Sequence, residues 1–425
     1  MQLYNLKDDT QVVSFATAVK TGLGRNQGLF FPKQFPQLDN IDELLSMSTW
    51  ERNFHILRPF VTEDIDDDAL RTIVEKTYAF PAQVKQVNEQ SSCLELFHGP
   101  TLAFKDFGAN FMANCLSHFA QAHDITILTA TSGDTGAAVA HAFYQRPNIK
   151  AVILFPKGKI SQLQQSMFTT LGDNIHTFAV EGAFDDCQSL VKQSFDQPDL
   201  VNQIGLNSAN SINISRLLAQ VCYYFDAFSQ LPQAQRDNLV ISVPSGNFGN
   251  LCAGIIAKTL GLPIKRFIAA TNANDTVPRY LQTGEWSPKQ TVATLSNAMD
   301  VSQPNNWPRI QYLIDSGQFD MNALTGFAVT EEQTADSMKD LYADEYVSEP
   351  HAAVAYHALT QSLTEGEHGL FLGTAHPAKF KSSVDDILSL DIPLPEPLQK
   401  SSVKQDLSQD IPFTHEALVK ELVAL

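Results

Sequence analysis

Cysteine is scarce and scattered in this sequence of 425 residues. Cys93, Cys115, Cys187, Cys222 and Cys252 form no CxxC, so neither a zinc site nor a redox pair is suggested. Most of them sit in apolar stretches, where buried free thiols are the expectation. Positive charge is short as well: 29 Lys and Arg stand against 47 Asp and Glu, a formal net charge of −18. That deficit argues against nucleic acid as a partner, because phosphates reward basic patches. It also means that any anionic ligand needs a locally positive pocket. No uninterrupted apolar run is long enough to span a bilayer. The first residues, MQLYNLKDDTQVV, lack the basic and apolar regions of a signal peptide. Internal repeats and low-complexity tracts are missing too. These absences point to a cytoplasmic enzyme or binding protein that handles a small molecule, with no metal and no membrane.

The chain is too long for one core, so two or three domains are expected. From about Phe107 the pattern alternates between helix and strand. Phe107, Phe111, Cys115 and Phe119 share a helical face, and 125–131 is a β-branched run that reads as a buried strand. Helices are predicted over 136–145, 161–171, 184–195 and 215–228, and from Leu251. Strands are predicted over 150–156, 175–180, 239–244, 266–272 and 369–372. Repeated βα units predict an α/β fold of mostly parallel sheets flanked by helices. The first ninety or so residues differ in pattern and include the acidic stretch TEDIDDDALR, which reads as a capped helix. Residues 284–345 are polar and mixed, and the tail after Pro393 ends in a short amphipathic helix.

In open α/β sheets, ligands bind beyond the carboxyl ends of strands. One loop there, TATSGDTGAAVA, places Ser132, Gly133, Asp134, Thr135 and Gly136 between a strand and a helix. Its glycines and helix N-terminus suit an anion, and it also reads as a capped turn. SVPSGNFGNLCAG does the same with Ser245, Gly246, Asn247, Phe248, Gly249 and Asn250. No Gly-Lys-Ser or Gly-Lys-Thr follows, so this cradle suits a phosphate held without magnesium. The glycine cluster GLGRNQG at 22–28 follows no predicted strand and reads as a turn. LFLGTAHPAKF brings Thr374 and His376 to a strand end, and FPKGKIS brings Lys157 and Lys159. Finally, ELFHGPTLAFKDFG sets Lys105 among phenylalanines. A lysine packed against Phe104 and Phe107 loses hydration, so its pKa should fall. A neutral amine attacks carbonyls and can form a Schiff base; the same lysine could instead snorkel at a helix start. With a metal-free phosphate cradle, Lys105 suggests pyridoxal 5'-phosphate, which needs a lysine, an anion pocket and a partner for its ring nitrogen.

HGPTLAFKDFG, TSGDTGAA, PSGNFGN and TAHPAKF, in this order and spacing, resemble the threonine synthase family, as does NQGLFFP at 26–32. The resemblance runs nearly the full length and implies a fold-type-II pyridoxal-phosphate enzyme related to tryptophan synthase β and the serine and threonine dehydratases. It implies that Lys105 carries the cofactor, that Ser245, Gly246, Asn247, Phe248 and Gly249 with Asn250 hold its phosphate, and that Thr374 meets its ring nitrogen. Asp134 stands where many relatives have an Asn beside the ring hydroxyl. Ser132, Gly133, Thr135 and Gly136 would receive the substrate carboxylate, and Lys157, Asn213, Ser215 and Arg216 the substrate phosphate. The implied reaction turns O-phospho-L-homoserine and water into L-threonine and phosphate. The rival readings are a dehydratase-like β-eliminating lyase and a non-catalytic binder of pyridoxal phosphate or a phosphate ester. The implied domain plan is an N-terminal extension over 1–90, a large domain from 91–110 and 225–392, a small mobile domain over 111–224, and a tail over 393–425. A monomer or small homo-oligomer is expected.

Overall fold

The computed structural model describes residues 1–119 and 124–425. Two parallel sheets organise it. The larger has six strands in the spatial order Leu324–Ala328, Arg266–Thr271, Leu239–Pro244, His368–Gly373, Ser91–Glu95 and Gln83–Gln86. All neighbours are parallel except the last pair, which runs antiparallel. The smaller has five parallel strands in the order Gln409–Ile411, Ile175–Val180, Ile149–Pro156, Ile125–Ala130 and Leu206–Ser208. Its inner strands are buried on both faces, which explains why ITILTA and IKAVILFP are dominated by β-branched and aliphatic residues. Helices Asp134–Phe143, Gln162–Thr169 and Phe184–Phe195 follow these strands as the crossovers that parallel pairing requires.

The topology fixes where a ligand can sit. From Leu239–Pro244 the chain adds Arg266–Thr271 and Leu324–Ala328 on one side. It then jumps across to lay His368–Gly373 on the other side. The order therefore reverses between Leu239–Pro244 and His368–Gly373, and a crevice opens at their carboxyl ends. Gly246 and Thr374 lie there. The carboxyl end of Ile125–Ala130, carrying Ser132 and Asp134, supplies the opposing wall.

The N-terminal segment builds a three-stranded antiparallel sheet of its own, Asp8–Val13, Leu3–Asn5 and Phe30–Phe31. The acidic stretch is the start of helix Asp67–Thr77, where Asp66 caps by accepting from Ala69 N at 2.8 Å. A buried ion pair, Arg52 to Asp226 at 2.7 Å, ties this segment to the long helix Ile214–Gln230.

A sheet or a helix crosses three of the expected seams, and the tail joins the small sheet. Strand Gln83–Gln86 belongs to the large sheet although it lies before residue 90. The seams after 110 and 224 fall inside unbroken helices, Lys105–Phe119 and Ile214–Gln230. The C-terminal tail adds the edge strand Gln409–Ile411 to the small sheet. Its last helix, His415–Ala424, then buries Leu418 and Leu422 against Phe178, Leu190 and Val191. Strand Leu324–Ala328 and helix Glu331–Ala343 fill part of the region read as polar and mixed. That strand is an edge and only partly buried, so it carries little apolar signal.

Leu418→Ala should destabilise the protein by roughly 2–5 kcal/mol, the usual range for a leucine emptied from a core. A urea melt checks this; an unchanged midpoint would mean that the C-terminal helix is not part of the small domain's core.

Candidate active site

A cavity of about 470 Å³ lies between the carboxyl ends of the two sheets. That is within the roughly 300–1,000 Å³ of small-molecule sites. Lys105, the first residue of helix Lys105–Phe119, reaches it from the large-sheet side. The turn before the lysine is held by its neighbour Asp106, which accepts from Thr101 N at 2.9 Å and from Thr101 Oγ1 at 2.5 Å. Leu102 within this turn has φ +59°, an uncommon conformation for a bulky side chain. It is held by backbone bonds: Leu102 N donates to Gly99 O, and His376 N donates to Leu102 O at 3.0 Å. Phe104 N donates to Thr374 O at 2.9 Å, so the lysine turn and the strand end with Thr374 move as one. Phe107 locks the helix by packing on Tyr78, Phe80 and Tyr223.

These surroundings answer why a lysine sits among aromatics. The Lys105 amine is 5.8 Å from the Phe104 ring centroid and, among the described residues, has no carboxylate within ion-pair distance. Burial lowers its pKa to about 8; Asp134 opposes the fall, while Lys379 and Arg216 add to it. An amine so poised is partly neutral near physiological pH and can act as base or nucleophile.

The loop after Leu239–Pro244 makes the cradle. Phe248 adopts φ +60° and turns the chain into helix Gly249–Thr259. Among the described residues the backbone N–H groups of Gly246, Asn247, Phe248 and Gly249 have no protein acceptor. Free N–H groups at a helix start form an anion site. Asn305 and Asn306 brace the loop from outside: Asn306 Nδ2 donates to Asn247 O at 3.1 Å, and Asn305 Nδ2 to Asn247 Oδ1 at 3.2 Å. Asn250 Oδ1 accepts from Tyr223 and Tyr224 at 2.7 and 2.8 Å, while its Nδ2 stays buried without a partner. A buried orphan donor on a cavity wall invites a ligand acceptor. Ser245 lies one layer back, its hydroxyl donating to Val243 O at 2.9 Å.

On the facing wall, helix Asp134–Phe143 begins with Ser132, Asp134 and Thr135 lining the cavity. Gly133 and Gly136 stand behind them. Gly133 has φ +137°, and a Cβ on Gly136 would lie 2.5 Å from Thr131 Cγ2, so both shape the turn. Asp134 pairs with Lys379 Nζ at 2.7 Å, both side chains being buried. Burial alone would raise the Asp134 carboxyl, but Lys379 and Lys105 override it and hold it below the usual carboxylate range.

The four residues expected to hold a second phosphate separate. Arg216 lines the cavity, fully buried; it donates to Ala209 O, and among the described residues its Nε is unpartnered and it has no carboxylate partner. Burial lowers its pKa to about 10, so it stays charged. Asn213 and Ser215 do not reach the cavity. Asn213 caps helix Ile214–Gln230, accepting from Ser215 Oγ at 2.7 Å and donating to Val19 O at 3.0 Å. Lys157 points outward, pairs with Asp410 at 2.6 Å and is 48% exposed. Lys159, two residues on, lines the cavity in its place. Lys379, His351 and the segment 297–301 also belong to the site or its edge and escaped the sequence reading. Lys379 could have been found by the reasoning applied to Lys105, a lone charge in an apolar motif. His351 carried no such signal.

The fold and this donor set define a pyridoxal-phosphate enzyme: residues 83–371 match the family described as pyridoxal-phosphate dependent enzyme. Residues 4–78 match the threonine synthase N terminus, and 352–423 the threonine synthase C-terminal family. Threonine synthase of Serratia marcescens is 58% identical, with all of both chains covered. The crystal structure of threonine synthase from Escherichia coli superposes with a TM-score of 0.96 at 58% identity, covering 100% of each chain. That of pyridoxal-phosphate-bound threonine synthase from Brucella melitensis gives 0.93 at 30% identity, covering 100% of this chain and 99% of that one. The chain belongs to the threonine synthase family, and its cofactor is pyridoxal phosphate.

Gly246→Val tests the cradle. A Cβ there would lie 2.7 Å from Met299 Cα, so the substitution moves backbone, not a pliable side chain. Overpacking of this kind costs about 1–3 kcal/mol. The cofactor dissociation constant should rise about tenfold or more; an unchanged constant would mean that the loop does not hold the cofactor.

Proposed function

We propose that the chain converts O-phospho-L-homoserine and water to L-threonine and phosphate, and that Lys105 and Arg216 divide the work. The observation that carries this reading is Arg216, a buried cation on the cavity wall with, among the described residues, no carboxylate partner. A buried charge without a partner is costly, so the site fits an anion arriving with the substrate. A β-eliminating dehydratase, whose substrate has no phosphate, would leave that charge unmatched.

The cofactor supplies an electron sink that eases removal of the substrate's α-proton. The residues supply the rest. The free N–H groups of Gly246, Asn247, Phe248 and Gly249 hold the cofactor phosphate, helped by Asn250 Nδ2. Thr374 would offer the cofactor a neutral hydroxyl, and Lys105 would anchor it. Ser132 and Thr135, at the start of their helix, receive the substrate carboxylate. The Arg216 guanidinium, with Lys159 on the same wall, receives the substrate phosphate, for which its planar fork is suited. Lys105 Nζ takes the proton from the substrate α-carbon and later returns it, which its pKa of about 8 permits near neutral pH. Residues 297–301, which line the cavity, help to keep stray water out until water adds at the β-carbon. Among the described residues no helix is long and apolar enough to cross a membrane; we read the chain as a cytoplasmic enzyme, and its −18 charge disfavours nucleic acid as a partner. We read it as a monomer or small homo-oligomer.

Two variants separate these roles. Lys105→Ala should abolish turnover and the visible band of bound cofactor with the fold intact; normal phosphate release would sink the assignment. Arg216→Ala should lower kcat/KM for phosphohomoserine by roughly two orders of magnitude, a few kcal/mol of transition-state binding. Cofactor affinity should stay near that of the parent. Lys157→Ala should change kcat/KM less than about twofold, as exposed ion pairs carry little energy. Loss at Lys157 with none at Arg216 would reverse this map.

A further inference from the structure

Lys379 has no place in the chemistry above, yet its side chain is 0% exposed. It sits in the short turn Pro377–Phe380, just beyond Thr374. Its Nζ is 2.7 Å from Asp134 Oδ1 and 2.8 Å from Thr101 O. One buried amine thus joins the start of helix Asp134–Phe143, the turn that carries Lys105, and the strand end that carries Thr374. A buried pair of this kind contributes little net stability, because desolvation offsets the attraction. What it does contribute is the placement of charge.

The groups facing Asp134 and Lys105 come from five elements. Lys379 comes from its turn, Arg216 from helix Ile214–Gln230, and His351 from helix Pro350–Thr360. Asp106 lies beside Lys105 on helix Lys105–Phe119, committed to Thr101, and Asp134 opens its own helix. His351 is itself committed, Nδ1 facing Glu349 at 2.5 Å and Nε2 accepting from Ala298 N at 3.1 Å. Asp134 is therefore the carboxylate both lysines share, and Lys379 holds it at contact distance while Lys105 does not.

We propose that Lys379 is a positioning residue that withholds the Asp134 carboxylate from Lys105 and so leaves the Lys105 amine free to lose its proton. The proposal rests on the reading of Lys105 as the cofactor's lysine. Removing the Lys379 charge takes a cation away from Lys105 and releases Asp134 to pair with it. Both changes favour the protonated amine, so the Lys105 titration must move upward. Removing the Asp134 charge does the reverse, because Lys105 loses its favourable partner and keeps two cationic neighbours.

The test reads Lys105 directly. The full-length protein is freed of cofactor with a competing amine, and recovery of the visible band on refilling shows that the site is native. A limiting acetylating reagent then labels amines across a pH series, and mass spectrometry follows Lys105. In the parent protein the labelling midpoint should fall near 8. Lys379→Met should raise it by roughly one unit or more, about tenfold less neutral amine at a given lower pH. Lys379→Arg should restore most of the parent's midpoint. Asp134→Asn should lower the midpoint, and it decides the matter should Lys379→Met fail to fold. A purely structural role for Lys379 would lower stability without moving the midpoint. An unmoved midpoint in Lys379→Met or Asp134→Asn, or a downward shift in Lys379→Met, overturns the proposal. If instead refilling with cofactor fails to protect Lys105 from label, it is the assignment of Lys105 that falls.

Discussion

The ion pair between Asp134 and Lys379 lies out of water, and the loops of the active site take their positions around it. Lys379 also holds Thr101 O, so the turn that carries Lys105 is pinned to the same point. Phe104 N donating to Thr374 O closes the circuit. The carboxyl ends of strands from two different sheets are thus drawn together by a few contacts. In a medium of low polarity such contacts are directional and intolerant of substitution, which suits a site whose groups must keep fixed distances.

A second brace works from the far side of the cavity. Arg309 is buried and, among the described residues, has no ion-pair partner. Its guanidinium donates to Asn306 Oδ1 at 2.7 Å, to Phe30 O at 3.0 Å and to Ile212 O at 2.7 Å. Asn306 in turn donates to Asn247 O. One side chain therefore joins the N-terminal sheet, the approach to the Arg216 helix and the phosphate cradle. The N-terminal segment, separate in sequence and in sheet, is coupled to the site by hydrogen bonds from the charged Arg309 guanidinium to neutral oxygens.

Arg216, Lys105 and Lys379 are three basic groups around the cavity of a chain with a strong acidic excess. Acidic residues dominate the surface, where water screens them. The basic residues at the cavity are screened far less, so a few of them outweigh the global charge for an anion already inside. Global charge and local charge are separate quantities: the wall carries Lys105, Lys159 and Arg216 beside Asp134, Asp185 and Asp300, and of these acids Asp134 is already paired with Lys379.

Periodicity and local chemistry determined much from the sequence alone. The strands at 125–130, 149–156, 175–180 and 239–244 announce themselves because burial on both faces demands continuous β-branched and aliphatic residues. Lys105 stands out as a charge among aromatics and the glycine-rich cradle as a turn between strand and helix, whereas Thr374 is singled out only by the family resemblance. What only the tertiary structure decided is which polar side chains face the cavity. Lys157 and Lys159 share a loop, and one meets Asp410 while the other meets the site. Asn213, Ser215 and Arg216 lie within four positions, yet Asn213 caps a helix, Ser215 donates to that cap, and Arg216 lines the wall. Asp410 and Lys379 lie far along the chain from the loops they touch, as do Arg309 and Phe30 from the cradle. Direction of a side chain depends on partners that sequence spacing does not bring together; hydrophobic periodicity needs only the next few residues, whereas a buried charge finds its partner only once the sheets have closed.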